Sequence, residues 1–162
     1  MNRVLLAGFE GKKNPAKIIT ERVALPCRKV ILPNDREKSV KALRDALSDK
    51  SITCVVMLGQ KPAICDKIAV EPTASRNGHK LHTSMDVTAA RGLLKAGGCN
   101  AYISKGAGNS YCNHIYYECL EIGANCVFLH VPTVDNISDM DKIIGAVEHF
   151  LSGLAGVPCA ML

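Results

Sequence analysis

The sequence predicts a three-layer α/β/α sandwich around a mostly parallel central sheet, and three observations carry that expectation. Apolar runs of strand length alternate with segments of helical period along the chain. Several strand runs are almost continuously apolar, as in "ITCVVMLG" and "NCVFLHV", which marks strands covered by helices on both faces. A chain of 162 residues, 48% hydrophobic, forms about one domain and buries roughly two-thirds of its unfolded surface.

The elements follow in order. "RVLLAGF" (3 to 9), "CRKVILP" (27 to 33), "ITCVVMLG" (52 to 59), "DKIAVE" (66 to 71), "NAYISKG" (100 to 106) and "NCVFLHV" (125 to 131) are expected strands. "REKSVKALRDALSD" places Val40, Leu43 and Leu47 on one helical face, and "MDKIIGAVEHFLSGL" does the same with Ile143, Val147, Phe150 and Leu151. Two further helices are expected near 84 to 96 and 110 to 121. No repeat, low-complexity tract or long linker divides the chain, so one domain over 1 to 162 is expected.

Composition narrows the function classes. There is no apolar run of membrane-spanning length, and the N-terminus reaches charge too soon for a secretion signal, so the expected compartment is the cytosol. Eight cysteines include no CxxC pair and fit no zinc spacing; most lie in apolar runs and are expected to be reduced and buried. Neither metal nor cofactor is expected. The net charge of +5 comes from scattered lysines and arginines without interleaved aromatics, which argues against nucleic acid as a partner. The final "CAML" satisfies a four-residue prenylation pattern without a polybasic segment before it, and Cys159 is treated as an ordinary tail residue.

In open α/β sheets ligands sit beyond the carboxyl ends of strands, and two residues there carry chemistry. In "GNSYCNHIYY" a glycine-rich turn leads into a helix with Asn109 or Ser110 as N-cap, so Cys112 falls in the first turn. The dipole and unpaired amides there favour a thiolate and can hold an oxyanion. Two readings stand for Cys112: a nucleophile, or a packing thiol like Cys119. His130 ends the buried run "CVFLH" and is either structural or the base that a cysteine nucleophile needs. His79, His82, His114 and His149 are expected at the surface or behind the site. For a third group orienting the imidazole, the strand "DKIAVE" offers Asp66 and Glu71; five residues apart, they face opposite ways, and periodicity does not choose between them.

The order "LLAGFE…NP", "LGQ", "DKIAVEPTASR", "AGNSYCN" and "FLHVP" resembles pyroglutamyl peptidase I, the pyrrolidone-carboxylate peptidase family of cysteine peptidases, over residues 5 to 132. The resemblance implies removal of an N-terminal pyroglutamyl residue from a peptide or small amide, with cysteine, histidine and an acid and without metal. Cys112 matches the nucleophile and His130 the base. "DKIAVE" lies over the family's "ERVAIN", which puts Asp66 at the family's glutamate and leaves Glu71 as the alternative acid. Phe9 matches a phenylalanine that clasps the lactam ring, Gln60 a pocket glutamine, and Arg76 an arginine near the site; Tyr111, beside the nucleophile, joins the binding residues. A homo-oligomer is also implied.

The departures fall on specificity. The family's "GFEPFGG" is "GFEGKKN" here, which removes the second phenylalanine and introduces Lys12 and Lys13. Ser110 stands where the family has an aromatic, and the "AGGR" pattern after "LGQ" is missing. A stacked ring contributes on the order of 1 kcal/mol, so losing two weakens pyroglutamyl binding about thirtyfold.

Overall fold

The computed structural model describes residues 3–156. The terminal "CAML" lies outside the described residues. In chain order the elements are β1 (Val4–Phe9), α1 (Pro15–Arg22), β2 (Arg28–Leu32), α2 (Arg36–Leu47), β3 (Cys54–Lys61), β4 (Lys67–Glu71), β5 (Thr73–Arg76), β6 (His79–His82), α3 (Val87–Ala96), β7 (Asn100–Ile103), α4 (Tyr111–Glu121), β8 (Cys126–Pro132) and α5 (Met140–Gly156). A single 3-10 turn, Val134–Asn136, follows β8.

Six strands form one sheet in the order β2-β1-β3-β8-β4-β7. All pairings are parallel except β4 with β8, so β4 and β7 run opposite to the rest. The mostly parallel sandwich is therefore present, with one antiparallel joint in it. Period-two alternation divides the strands between two cores. Val4, Leu6, Val56, Leu58, Val70 and Leu129 pack against α1, α3 and α5; Leu5, Ala7, Val55, Met57 and Phe128 pack against α2 and α4. Ile143, Val147, Phe150 and Leu151 all join the first core, as their helical spacing predicts.

Four helices start on side-chain caps, α5 through Asp139, which accepts from Lys142 N. Asn14 accepts from Ala16 N with Pro15 at the first helical position, Asp35 accepts from Lys38 N, and Asp86 accepts from Thr88 N and Ala89 N. Two features were not expected from the sequence. One is α1 itself, although Asn14-Pro15 is a helix-start signal. The other is the hairpin β5–β6, which places His79 and His82 on a strand instead of in a loop. Its Asn77-Gly78 turn, with φ of 49° and 80°, is the sequence signature of a two-residue hairpin loop.

No disulfide joins the described cysteines, and no helix among the described residues is long and apolar enough to cross a membrane.

Candidate active site

The central strands of the sheet bring Cys112, His130 and Glu71 together over one face. In β8, Phe128 and His130 point to the same side, and the register sets His130 beside Gly59 of β3 and Ala69 of β4, with Phe128 beside Glu71. Residues two apart on a strand share a face, so Ala69, Glu71, Phe128 and His130 form one diagonal patch. The Glu71 carboxylate reaches His130 Nδ1 through Oε1 at 2.7 Å, with both side chains buried.

Cys112 approaches the same patch from α4. A Cβ on Gly59 would stand 2.8 Å from Cys112 Sγ and 2.6 Å from the Phe128 ring. The sulfur thus rests on bare backbone that only glycine leaves open. Neighbouring strands lie about 4.8 Å apart, so a thiol seated over Gly59 stands next to His130. With Nδ1 committed to Glu71, Nε2 is the ring nitrogen left for the thiol.

Burial pushes the Cys112 thiol up to about 11, the Glu71 charge adds to this, and the Ser110 hydroxyl and the cysteine's own amide pull the other way. The lowered thiol expected from the helix start is therefore not found: desolvation outweighs the dipole. Ser110 caps α4 in position but makes no capping bond through its side chain. For Glu71, burial alone raises the carboxyl, but the His130 hydrogen bond, the Ser104 hydroxyl and the charges of His130 and Lys61 together hold it below the usual range. The Ser104 hydroxyl can turn its one proton to Glu71 or to Gly106 O at 3.1 Å; when Gly106 O takes it, Glu71 Oε2 has no hydrogen-bond partner.

The expectation that Asp66 orients the histidine is corrected. Asp66 precedes β4 with a φ of 47°, outside the ladder, and its carboxylate accepts from Ser138 N at 2.7 Å. Glu71, the alternative, is the carboxylate on His130. Arg76 is corrected as well. Its guanidinium meets Glu118 at 2.5 Å and Glu121 at 3.4 Å and stacks on the Tyr117 ring. Glu118 is six residues beyond Cys112 on α4, roughly 9 Å along the axis, so Arg76 braces the helix away from the thiol.

The remaining expected residues divide. Phe9 is buried, with its ring edge-on to Tyr111 at 5.6 Å and near Phe128 at 6.2 Å. Tyr111 anchors α4 to the segment before α2: its hydroxyl donates to Pro33 O or Asp35 O and meets Ser39 Oγ at 2.6 Å. Gln60 is exposed and lines a cleft of about 410 Å³ with Glu10, Lys13, Asn14 and Asp135. That cleft lies beside the loop after Phe9, where Lys12 and Lys13 replace the pattern's second phenylalanine.

Sequence reasoning did not single out two residues. Asn113 clamps β5, donating to Ser75 O at 2.7 Å and accepting from Ser75 N at 2.8 Å, which fixes the turn that carries Cys112. Lys61, two residues beyond Gly59 and on its face, stands 3.6 Å from Glu71 Oε1. Among the described residues no group of His, Cys, Asp and Glu is arranged to hold a metal ion.

No family model matches the chain. It is similar to the pyrrolidone-carboxylate peptidase of Aliivibrio fischeri, 26% identical over 96% of this chain and 90% of that protein. The enzyme of the same name from Mycobacterium tuberculosis is 23% identical over 99% of this chain and 93% of its own length. That alignment spans 208 positions for a chain of 162, so this chain lacks internal segments the relative has. Among solved structures, pyroglutamyl peptidase I from Bacillus amyloliquefaciens superposes with a TM-score of 0.82 at 21% identity, covering 97% of both chains. Pyrrolidone carboxyl peptidase from Thermococcus litoralis gives 0.78 at 22% identity, over 94% of this chain and 92% of that one. The fold is theirs, and the sequence is a divergent, shortened relative.

Proposed function

We propose that the protein is a cysteine peptidase that removes an N-terminal pyroglutamyl residue. The observation that carries this reading is the 2.7 Å bond between His130 Nδ1 and Glu71 on the sheet face over which Cys112 Sγ sits. Relatives named for that activity, matched over nearly the whole chain, supply the substrate.

Cys112 is a neutral thiol at rest, since burial pushes it up to about 11. Its proton therefore passes to His130 Nε2 as the sulfur attacks the lactam-bearing amide carbonyl, in one coupled event and not from a preformed thiolate. The C–S bond forms and the carbonyl oxygen becomes an oxyanion. The first-turn amides of α4 have no helical acceptor and are placed to receive it. Glu71 accepts from Nδ1–H and stabilises the imidazolium. The tetrahedral species then breaks its C–N bond, and His130 gives its proton to the departing amine. A water molecule, deprotonated by the now neutral His130, opens the thioester to pyroglutamate and regenerates the thiol.

A fluorogenic pyroglutamyl amide tests this reading. Turnover by the wild type and none by Cys112→Ala is the expected result. No turnover by either at high enzyme concentration refutes the peptidase. One observation favours a second reading, a cysteine amidase for another small acyl group. Phe9 is 3% exposed, and the loop after it, without a second phenylalanine, lines a polar cleft beside Gln60. Turnover of a polar acyl amide in preference to pyroglutamyl amide would select it.

A further inference from the structure

Glu71 is a fully buried carboxylate whose Oε2 has no hydrogen-bond partner and whose Oε1 accepts from His130. A buried carboxylate with one oxygen unpaired is costly, so a counter-charge must stand close. The groups facing this carboxylate are His130 from β8, Lys61 from β3, Cys112 and Tyr116 from α4, and the Ser104 hydroxyl beyond β7. The Tyr116 hydroxyl donates to Glu71 main-chain O, and the Ser104 hydroxyl can give its one proton to Gly106 O instead of Glu71. Lys61 is the one permanent cation among them. Its side chain is 30% exposed and its Nζ lies 3.6 Å from Oε1. It reaches this place because β3 continues two residues past Gly59 on the same face, with Lys61 in register with Pro132.

We propose that Lys61 is a positioning residue of the hydrolytic site, whose ammonium holds the Glu71 carboxylate charged and turned onto His130 Nδ1. The proposal rests on the hydrolytic reading above and goes beyond it, because it assigns the working tautomer of His130 to a third side chain. The chemistry is electrostatic and forms no covalent bond. The positive charge of Lys61 favours ionised Glu71, so its removal raises the Glu71 carboxyl. A protonated Glu71 no longer accepts from Nδ1–H in the way that leaves Nε2 as the base. As pH falls, the working form is then lost at a higher pH than in the wild type.

The test compares wild type, Lys61→Met, Lys61→Gln and Lys61→Arg by two measurements. The first is the pH profile of kcat and KM on the fluorogenic amide. Loss of the charge should lower kcat with little change in KM and move the acidic limb upward. Activity below the limb falls about tenfold for each pH unit of movement. Lys61→Arg should restore the limb. The second is the imidazole ¹⁵N spectrum of His130 across the same range, which reads the Nδ1–H bond whether or not any substrate turns over. Loss of that signature at higher pH in Lys61→Met and Lys61→Gln, with recovery in Lys61→Arg, supports the assignment. Spectra identical to wild type, or no recovery in Lys61→Arg, overturn it. If the wild type does not hydrolyse the amide, the functional reading fails and the spectra alone decide the role of Lys61.

Discussion

At the scale of single residues, the carboxylate that meets His130 is Glu71, five residues along from the Asp66 that the resemblance selects. Two carboxylates flank "KIAV", and nothing in a period of two says which residue of β8 each will face. The structure decides it by register: Ala69 pairs with His130, so Glu71 falls on the imidazole face while Asp66 lies outside the ladder and binds Ser138 N. Glu71→Gln should therefore lower kcat by up to about 10⁴-fold, as when a triad acid is replaced by its amide, whereas Asp66→Asn should leave kcat near wild type. Steady-state kinetics on the two variants check this directly. The thiol gives a second prediction. Because burial and the Glu71 charge push Cys112 up to about 11, its alkylation by iodoacetamide should keep accelerating past pH 9. In Glu71→Gln, with one of the raising causes removed, the inflection should fall to lower pH. Cys112 and His130 stand out as candidates in the sequence because one opens a helix after a glycine-rich turn and the other ends an apolar run; the burial that governs the thiol is not visible there, since it depends on Phe128 and Gly59 from other strands.

At the scale of elements, α4 is held in place at both ends, and the sheet beneath it is shaped to receive its thiol. Tyr111 ties its start to the segment before α2, Asn113 clamps β5, and Arg76 grips its outer turns through Glu118 and Glu121. Gly59→Ala would drive a methyl into Phe128 and Cys112 Sγ, so it should cost about 1–3 kcal/mol of stability and displace the thiol. Urea unfolding and turnover of the same preparation measure both effects. The hairpin that Asn113 and Arg76 reach leaves no apolar run in the sequence, because "TASRNGHKLH" is polar and short. Its Asn77-Gly78 signal was present and carried more information than the hydropathy. Helix α1 is faint for a related reason: after its start signal at Asn14-Pro15 it runs for only eight residues, too short to show a helical period.

At the scale of the whole molecule, the site lies where the sheet changes direction. Apolar runs predict a mostly parallel sheet through burial on both faces, and they cannot report that β4 enters it reversed, because a strand covered on both faces is apolar whichever way it runs. That reversal runs the end of β4 back along β8, so that Glu71 pairs with Phe128, two residues before His130 and on its face, where its buried carboxylate meets the imidazole. The carboxyl of Glu71 is held below its unfolded value of about 4.3, so the stability it supplies is present above that pH and is lost as pH falls through the folded value. The thermal midpoint of the wild type should thus fall more steeply below about pH 4.3 than that of Glu71→Gln. The central claim is that Cys112 forms an acyl-enzyme with a pyroglutamyl group. Intact-mass and peptide-mapping analysis of the protein quenched during reaction with a pyroglutamyl active ester tests it most directly. A pyroglutamyl adduct on Cys112, absent from His130→Ala, is the predicted result; no adduct, or one spread over the other cysteines, would contradict it.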